Sequence, residues 1–348
     1  MRMADSPPPQ LTALPDLPLQ KIAEHAGFRG VVSMQKTCTR FRNLFKAHPP
    51  SIDHREIDIE CSADEINVTY DGGLQVRYKN VANGCAVSSK YVQPLRMWMG
   101  NEHTNQKMFA DEDYEEMFSK DFEKNLRLQT TCLGQFTFRA GNGRVFRKVL
   151  SVLKARAKAL EVNCVRLRLI DMKDVELFLQ QLPTEALKSI AICWRAPTLP
   201  TAEIAQLARL PQWKSADGIQ MFLHEIPMDA LHHFLHLKTL IILVDELRME
   251  HIFHLKEMIL HPNFEWLSLR FRTFPNGEAL DTMMGPKHAV NDGDRVKYER
   301  RLWFFKSPHE NVWIRVEQDR QQVLIETIRQ DEIPHGAIVQ PMFQLPDN

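Results

Sequence analysis

Glycine is scarce: 14 of 348 residues, about 4% where soluble proteins average near 7%. So few glycines leave little room for phosphate-cradling loops, and GxxxxGK[ST], GxGxxG and GxSxG are all absent. Cys38, Cys61, Cys85, Cys132, Cys164 and Cys193 lie far apart with no CxxC pair. A chain of this length needs no disulfide staples, so a reduced protein of the cytoplasm or nucleus is expected. Net charge is also missing, with 44 Lys and Arg against 44 Asp and Glu. That balance removes any whole-chain attraction to nucleic acid or to an acidic membrane. Apolar runs such as Leu240–Val244 fall far short of the roughly 20 residues that span a bilayer. The opening MRMADSPPPQ has no apolar signal-peptide stretch. No nucleophile is paired with a base at a recognisable spacing, so no catalytic residue and no cofactor are expected.

What is present points to a globular protein with a sizeable core: 44% hydrophobic and 25% charged residues. The length suggests two or three domains, and four segments can be distinguished. Residues 11–50 read as helical. Pro18 suits a first helical turn, Leu19, Ile22, Ala23 and Ala26 come after it at helical spacing, and Gly27 is the expected stop. Two further short helices are expected over Val31–Lys36 and Thr37–Lys46. Helices this short bury little apolar surface alone and gain by packing on a partner.

Residues 51–143 change period. Ile57 and Ile59, then Ile66, Val68 and Tyr70, then Leu74, Val76 and Tyr78 alternate with polar residues, and Asp71-Gly72-Gly73 signals a hairpin. A small antiparallel sheet is expected, then a helix carrying Tyr114, Met117, Phe118 and Phe122, then a strand pair within Leu126–Arg139. In residues 144–330, strand-like segments centre near Leu167, Ile190, Ile219, Ile241 and Leu267. Helical segments alternate with them at Asp174–Leu182, Ala202–Leu210, Met228–Leu237 and Glu250–Leu260. Units of this kind favour a stacked parallel sheet lined by helices. The expected fold class is therefore α/β: a three-helix N-terminal module, a small antiparallel β region, and an irregular LRR-like βα solenoid with a parallel sheet. An open doubly wound sheet is the alternative. A hairpin of Leu302–Phe305 with Val312–Val316, carrying Trp303 and Trp313, would cap the last repeat, and residues 331–348 form a tail whose order is left open.

Two resemblances sharpen this reading. The stretch LPDLPLQKIAEHAGFRGVVSMQKTCTRFRNLF, with Leu17-Pro18, Ile22, Phe28, Cys38, Arg40 and Phe41 in the motif's places, resembles an F-box. Ala26 departs from it, standing where a larger Leu is common. The resemblance implies docking on a Skp-type adaptor of a cullin–RING ubiquitin ligase, with Leu17, Pro18, Ile22, Phe28 and Phe41 serving adaptor binding or its supporting core. The competing reading is a generic helical cap on the next domain. Farther on, VFRKVLSVLKARAKALEVNCVRLRL and PNFEWLSLRF are similar to nematode F-box proteins that carry the F-box-associated FTH domain. That similarity implies that the C-terminal region recruits a protein target.

Strand alternation nominates a surface for such a target. If Val165, Leu167 and Leu169 face the helices, Arg166 and Arg168 face outward, as do Gln220, Phe222, Trp266, Ser268 and Arg270 by the same parity. Arg166, Arg168, Phe222, Trp266 and Arg270 have the composition of interface hot spots. The competing reading is that the C-terminal segment covers this row. Residues 124–160 hold nine Lys or Arg and no acid, directly after an acidic stretch at 102–123. A solvated helix face explains them better than a nucleic-acid site, because no interleaved aromatics accompany them. His232 and His236 could share a helix face as zinc ligands, but no HExxH or nearby Cys accompanies them, so no metal is expected. Rival readings are a repeat scaffold unconnected to ubiquitin and an α/β enzyme.

Overall fold

The computed structural model describes residues 11, 14–48, 50, 53–71, 73–91, 105–141, 143–169, 171–193, 200–274, 282, 284–285, 287–289 and 301–341. The chain divides into two compact units, Met1–Asn163 and Cys164–Asn348. The architecture is mixed α/β, with extensive parallel and antiparallel pairing.

The first unit opens with α1 (Asp16–Thr37) and α2 (Thr39–Ala47). Two helices therefore stand where three were expected. The chain stays helical through Gly27, because an interior glycine costs only about 1 kcal/mol when both flanks favour helix. The break falls at Cys38, whose backbone is extended at φ −155° and ψ 161°. Burial of one stripe holds the pair: Leu19, Ala23 and Val31 pack with Phe41, Leu44 and Phe45, and Leu128 adjoins this small core. Arg40 closes the open end through Asp16 at 2.9 Å and the Leu14 carbonyl at 2.8 Å.

Strands β1 (Glu56–Cys61), β2 (Glu65–Tyr70) and β3 (Leu74–Val81) form the expected antiparallel sheet, which β4 (Gly84–Tyr91) and β5 (Asn105–Ala110) extend as a meander. Ile57, Ile59, Ile66, Val68, Tyr70 and Tyr78 are buried, as the alternation requires. Helix α3 (Tyr114–Leu128) starts at Asp113, whose carboxylate accepts the Glu116 amide at 2.9 Å. Phe118, Phe122 and Leu126 continue its buried stripe to the end, so the strand pair expected within Leu126–Arg139 is one strand, β6 (Leu133–Ala140), parallel to β1. Helix α4 (Gly143–Lys154) buries Phe146, Val149, Leu150 and Leu153.

At the β2–β3 turn Asp71 takes a left-handed φ of 51°, a conformation Asp tolerates. It accepts the Arg55 amide at 2.6 Å and the Glu56 amide at 3.2 Å, and meets the buried His54 ring at 3.0 Å. Burial works against its charge. The hydrogen bonds from His54, Arg55 and Glu56 outweigh that and hold its carboxyl below the ordinary range.

In the second unit, β7 (Val162–Arg168), β8 (Ser189–Cys193), β9 (Gly218–Glu225), β10 (Thr239–Glu246) and β11 (Trp266–Thr273) pair in parallel and in chain order. A doubly wound sheet reverses its order at a switch point, and these five strands do not. Between them run α5 (Met172–Leu179), α6 (Thr201–Leu207), α7 (Pro211–Ser215), a 3-10 turn at Met228–Phe234, α8 (Met249–His254) and α9 (Lys256–Ile259). Trp213 anchors the helical layer, fully buried against Phe234 with ring centres 5.5 Å apart.

Beyond β11 the pairing turns antiparallel. The expected hairpin is β13 (Arg301–Lys306) with β14 (Trp313–Gln318). It does not meet β11. That edge is closed by β15 (Gln322–Ile328), whose Val323 and Ile325 face inward beside Leu269 and Leu267. Two short segments, β12 (His288–Ala289) and β16 (Val339–Pro341), both pair with β13. Strand β16 thus places Val339–Pro341 beside β13, and residues 342–348 lie outside the described residues.

Phe118→Ala, which empties the space between Tyr78 and Phe122, should cost the first unit about 3–5 kcal/mol in urea unfolding. Because the Asp71 pKa is depressed on folding, its contribution is present above the unfolded value of about 3.9 and is lost as pH falls through the folded one. Asp71→Asn keeps the left-handed turn. It should lower the urea midpoint at neutral pH, and the deficit should shrink below about pH 4.

Candidate functional site

Two surfaces collect the residues nominated from sequence. On α1, Leu17 is 69% exposed, Ile22 is 36% exposed and Pro18 is exposed. Pro18 and Ile22 are four residues apart and share a helical face. Phe41 is only 3% exposed and belongs to the hairpin's core. The Phe28 side chain lies outside the described residues.

The second surface is the open face of the parallel sheet. Val165, Leu167, Ile190, Ile192, Ile219, Met221, Leu240, Ile242, Leu267 and Leu269 are all buried on the helix side. The register then sets Arg166, Ala191, Gln220, Ile241 and Ser268 in one row across the other face. Arg166, Arg168 and Arg270 are exposed, Trp266 is half-buried, and the Phe222 side chain lies outside the described residues. The middle of the row is low: Ala191 is 1% exposed and Ser268 2%. Arg166 and Arg168 on β7 therefore share a face with Trp266 and Arg270 on β11. Arg166 and Ser268 are four strand spacings apart, about 19 Å.

Arg270 opens on a cavity of about 360 Å³ lined also by Leu243, Arg272, Asp319 and Gln322. Beside it Arg272 lies 3.7 Å from both Glu225 and Asp245. Arg315 pairs with Glu326 across β14 and β15. The β15 contribution escaped the sequence reading, although the alternation of Val323 and Ile325 with polar residues carries a strand signal.

The remaining nominations resolve into structure. Of the basic residues in 124–160, Arg127 pairs with Glu123, Arg139 with Asp58, Lys148 with Glu116 and Lys158 with Glu161. Arg156 caps the end of α3 through the Leu126 and Gln129 carbonyls. The segment holding His232 is a 3-10 turn that ends at Phe234. His236 lies two residues beyond that turn, and its ring meets the Trp213 carbonyl at 3.1 Å. Among the described residues no group of three His, Cys, Asp or Glu is placed to hold a metal ion, and no helix is long and apolar enough to cross a membrane. The six cysteines form no disulfide among the described residues. Burial pushes the Cys61 thiol up to about 12 and also raises Cys85 and Cys132. These three lack the depressed pKa of an activated nucleophile.

Residues 143–280 match the FTH domain. This is an F-box-associated domain, which is loosely consistent with an F-box substrate receptor. The matched stretch contains α4 and all five parallel strands, and so includes the open face. No curated protein and no solved structure matches the chain.

If the face assignment holds, Arg166→Ala and Arg270→Ala should each change stability by less than about 0.5 kcal/mol. Leu167→Ala and Leu269→Ala, one position away, should each cost about 2–5 kcal/mol. Urea unfolding of the four variants separates the two faces.

Proposed function

We propose that this protein is a substrate-recognition subunit of a cullin–RING ubiquitin ligase, acting in the cytoplasm or nucleus. Residues 11–50 dock on a Skp-type adaptor, and the FTH region holds a protein target. The observation that carries this reading is the FTH domain at 143–280, an F-box-associated domain, in a chain whose N-terminal hairpin exposes Leu17, Pro18 and Ile22. Exposed apolar side chains of this size, close together on one helix, are a mark of a partner surface. Phe41 belongs to the core on which this helix packs.

In this reading the protein performs no bond-making step and needs no cofactor. It works by proximity: one module is held by the ligase and the other by the target, so a target lysine is kept at high effective concentration near the ubiquitin donor. On the target side the residues are Arg166, Arg168, Phe222, Trp266 and Arg270. A scaffold unconnected to ubiquitin is the second reading, favoured by the position of Leu128 from α3 at the edge of the hairpin's core, which suits a cap.

Co-purification with a Skp-type adaptor decides between them. Wild type should retain the adaptor. Leu17→Ala/Pro18→Ala should weaken retention by about tenfold or more, as expected when interface hot-spot side chains are truncated, while the thermal midpoint stays near that of wild type. A wild-type chain that fails to hold the adaptor sinks the ligase reading. A double variant that binds as well as wild type sinks the residue assignment.

A further inference from the structure

On the assumption that the FTH region recruits a target, we infer the chemistry of what it takes: an extended, acidic segment of a protein, laid across the strands of the open face from Arg166 and Arg168 to Arg270. Charge is the first reason. Toward the β11 side of this face Glu225 and Asp245 meet Arg272, Glu326 meets Arg315, and Asp319 lines the cavity beside Arg270. Arg166 and Arg168 are exposed, and among the described residues neither has a hydrogen bond or an ion pair. The face therefore carries uncompensated positive charge at its β7 side. Arg270, at the mouth of its cavity, adds a second cation across the sheet.

Shape is the second reason. Between the arginines the floor is Ala191, Gln220, Ile241 and Ser268 in register, with Ala191, Ile241 and Ser268 buried and Gln220 half-buried. This row carries no charge, and half-buried Trp266 gives an extended segment an apolar flank. Ser268, between Trp266 and Arg270 on the same strand, is 2% exposed. Arg168 and Arg270 are about 19 Å apart by strand spacing, a distance that about six extended residues cover. An acidic side chain at each end of such a segment meets an arginine fork, the geometry guanidinium groups bind best. A nucleic-acid strand fits less well, since it calls for stacking aromatics and a longer run of phosphate contacts.

The test uses the full chain and fluorescein-labelled peptides read by anisotropy. An eight-residue peptide alternating Glu and Ser, about 26 Å when extended, should bind, and its Lys–Ser counterpart should not. A three-residue Glu–Ser peptide, about 10 Å long, should bind far more weakly because it cannot reach both ends. Raising salt from about 50 mM to about 500 mM should weaken the complex. Arg166→Glu/Arg168→Glu and Arg270→Glu should each lower affinity by about tenfold or more. Lys173→Glu, on helix α5, should leave it unchanged. Arg166→Gln/Arg168→Gln serves if charge reversal unfolds the sheet.

The proposal is overturned if acidic and basic peptides bind alike, if neither binds, if the arginine variants bind as wild type does, or if oligothymidylate binds in preference to the acidic peptide. Adaptor co-purification is read on the same preparation and separates the two ideas. Loss of adaptor with retained peptide binding removes the ligase reading alone, and the converse removes the acidic-segment reading alone.

Discussion

The second unit depends on burial of one side of a parallel sheet by helices too short to be stable without it. Val165 and Leu167, Ile190 and Ile192, Ile219 and Met221, Leu240 and Ile242, and Leu267 and Leu269 are all buried on that side. Helices of four to eight residues, such as α5, α8 and α9, do not persist alone in water. Each helix exists because its apolar residues meet this strand row, and the row is dry because the helices cover it. The strict two-residue period then commits the alternate residues to the opposite face. A one-residue slip in any strand would bury Arg166 or Arg270 and expose leucines.

The same constraint explains how the parallel array ends. A parallel edge at β11 would leave a row of amides and carbonyls unpaired. Strand β15 covers it, placing Val323 and Ile325 beside Leu269 and Leu267. Its polar residues extend the open face, so Gln322 comes beside Arg270 and Glu326 beside Trp266. Closing the edge and shaping the surface near Arg270 are one structural event. The first unit obeys a related rule on a smaller scale: its N-terminal hairpin has a core of only a few side chains, and it leaves Leu17 and Ile22 outside. The apolar residues that cannot be internalised become the surface available to a partner.

Much of the fold was legible in the chain because it rests on local periodicity. The meander around Asp71, the five parallel strands and the helical segments between them all fall where the apolar spacing puts them. The misses share a cause. Gly27 looked like a helix end, yet a glycine stops a helix only when the next residues prefer another conformation, and those after Gly27 remain helical. Leu126 looked like the start of a strand, but Phe118 and Phe122 one and two turns earlier make it the last contact of α3. His232 and His236 were expected to share a face on the premise of an α-helix over Met228–Leu237, and Met228–Phe234 winds as a 3-10 turn. Each depends on which of two locally permitted conformations the surrounding packing selects.

What the chain determined by itself is the class of structure and the sidedness of each element. It alternates in period between two and about 3.6, and its apolar residues say which way every strand and helix must face. The tertiary structure decided what lies beside what. Parity places Arg166 and Arg270 on one face, but only the strand order β7 to β11 separates them by four strands. Only the pairing of β15 with β11 brings Gln322 to Arg270. The physical reason is that periodicity is a property of neighbours along the chain, whereas pairing is settled by backbone hydrogen bonds between segments far apart in sequence, to which side-chain spacing is nearly blind.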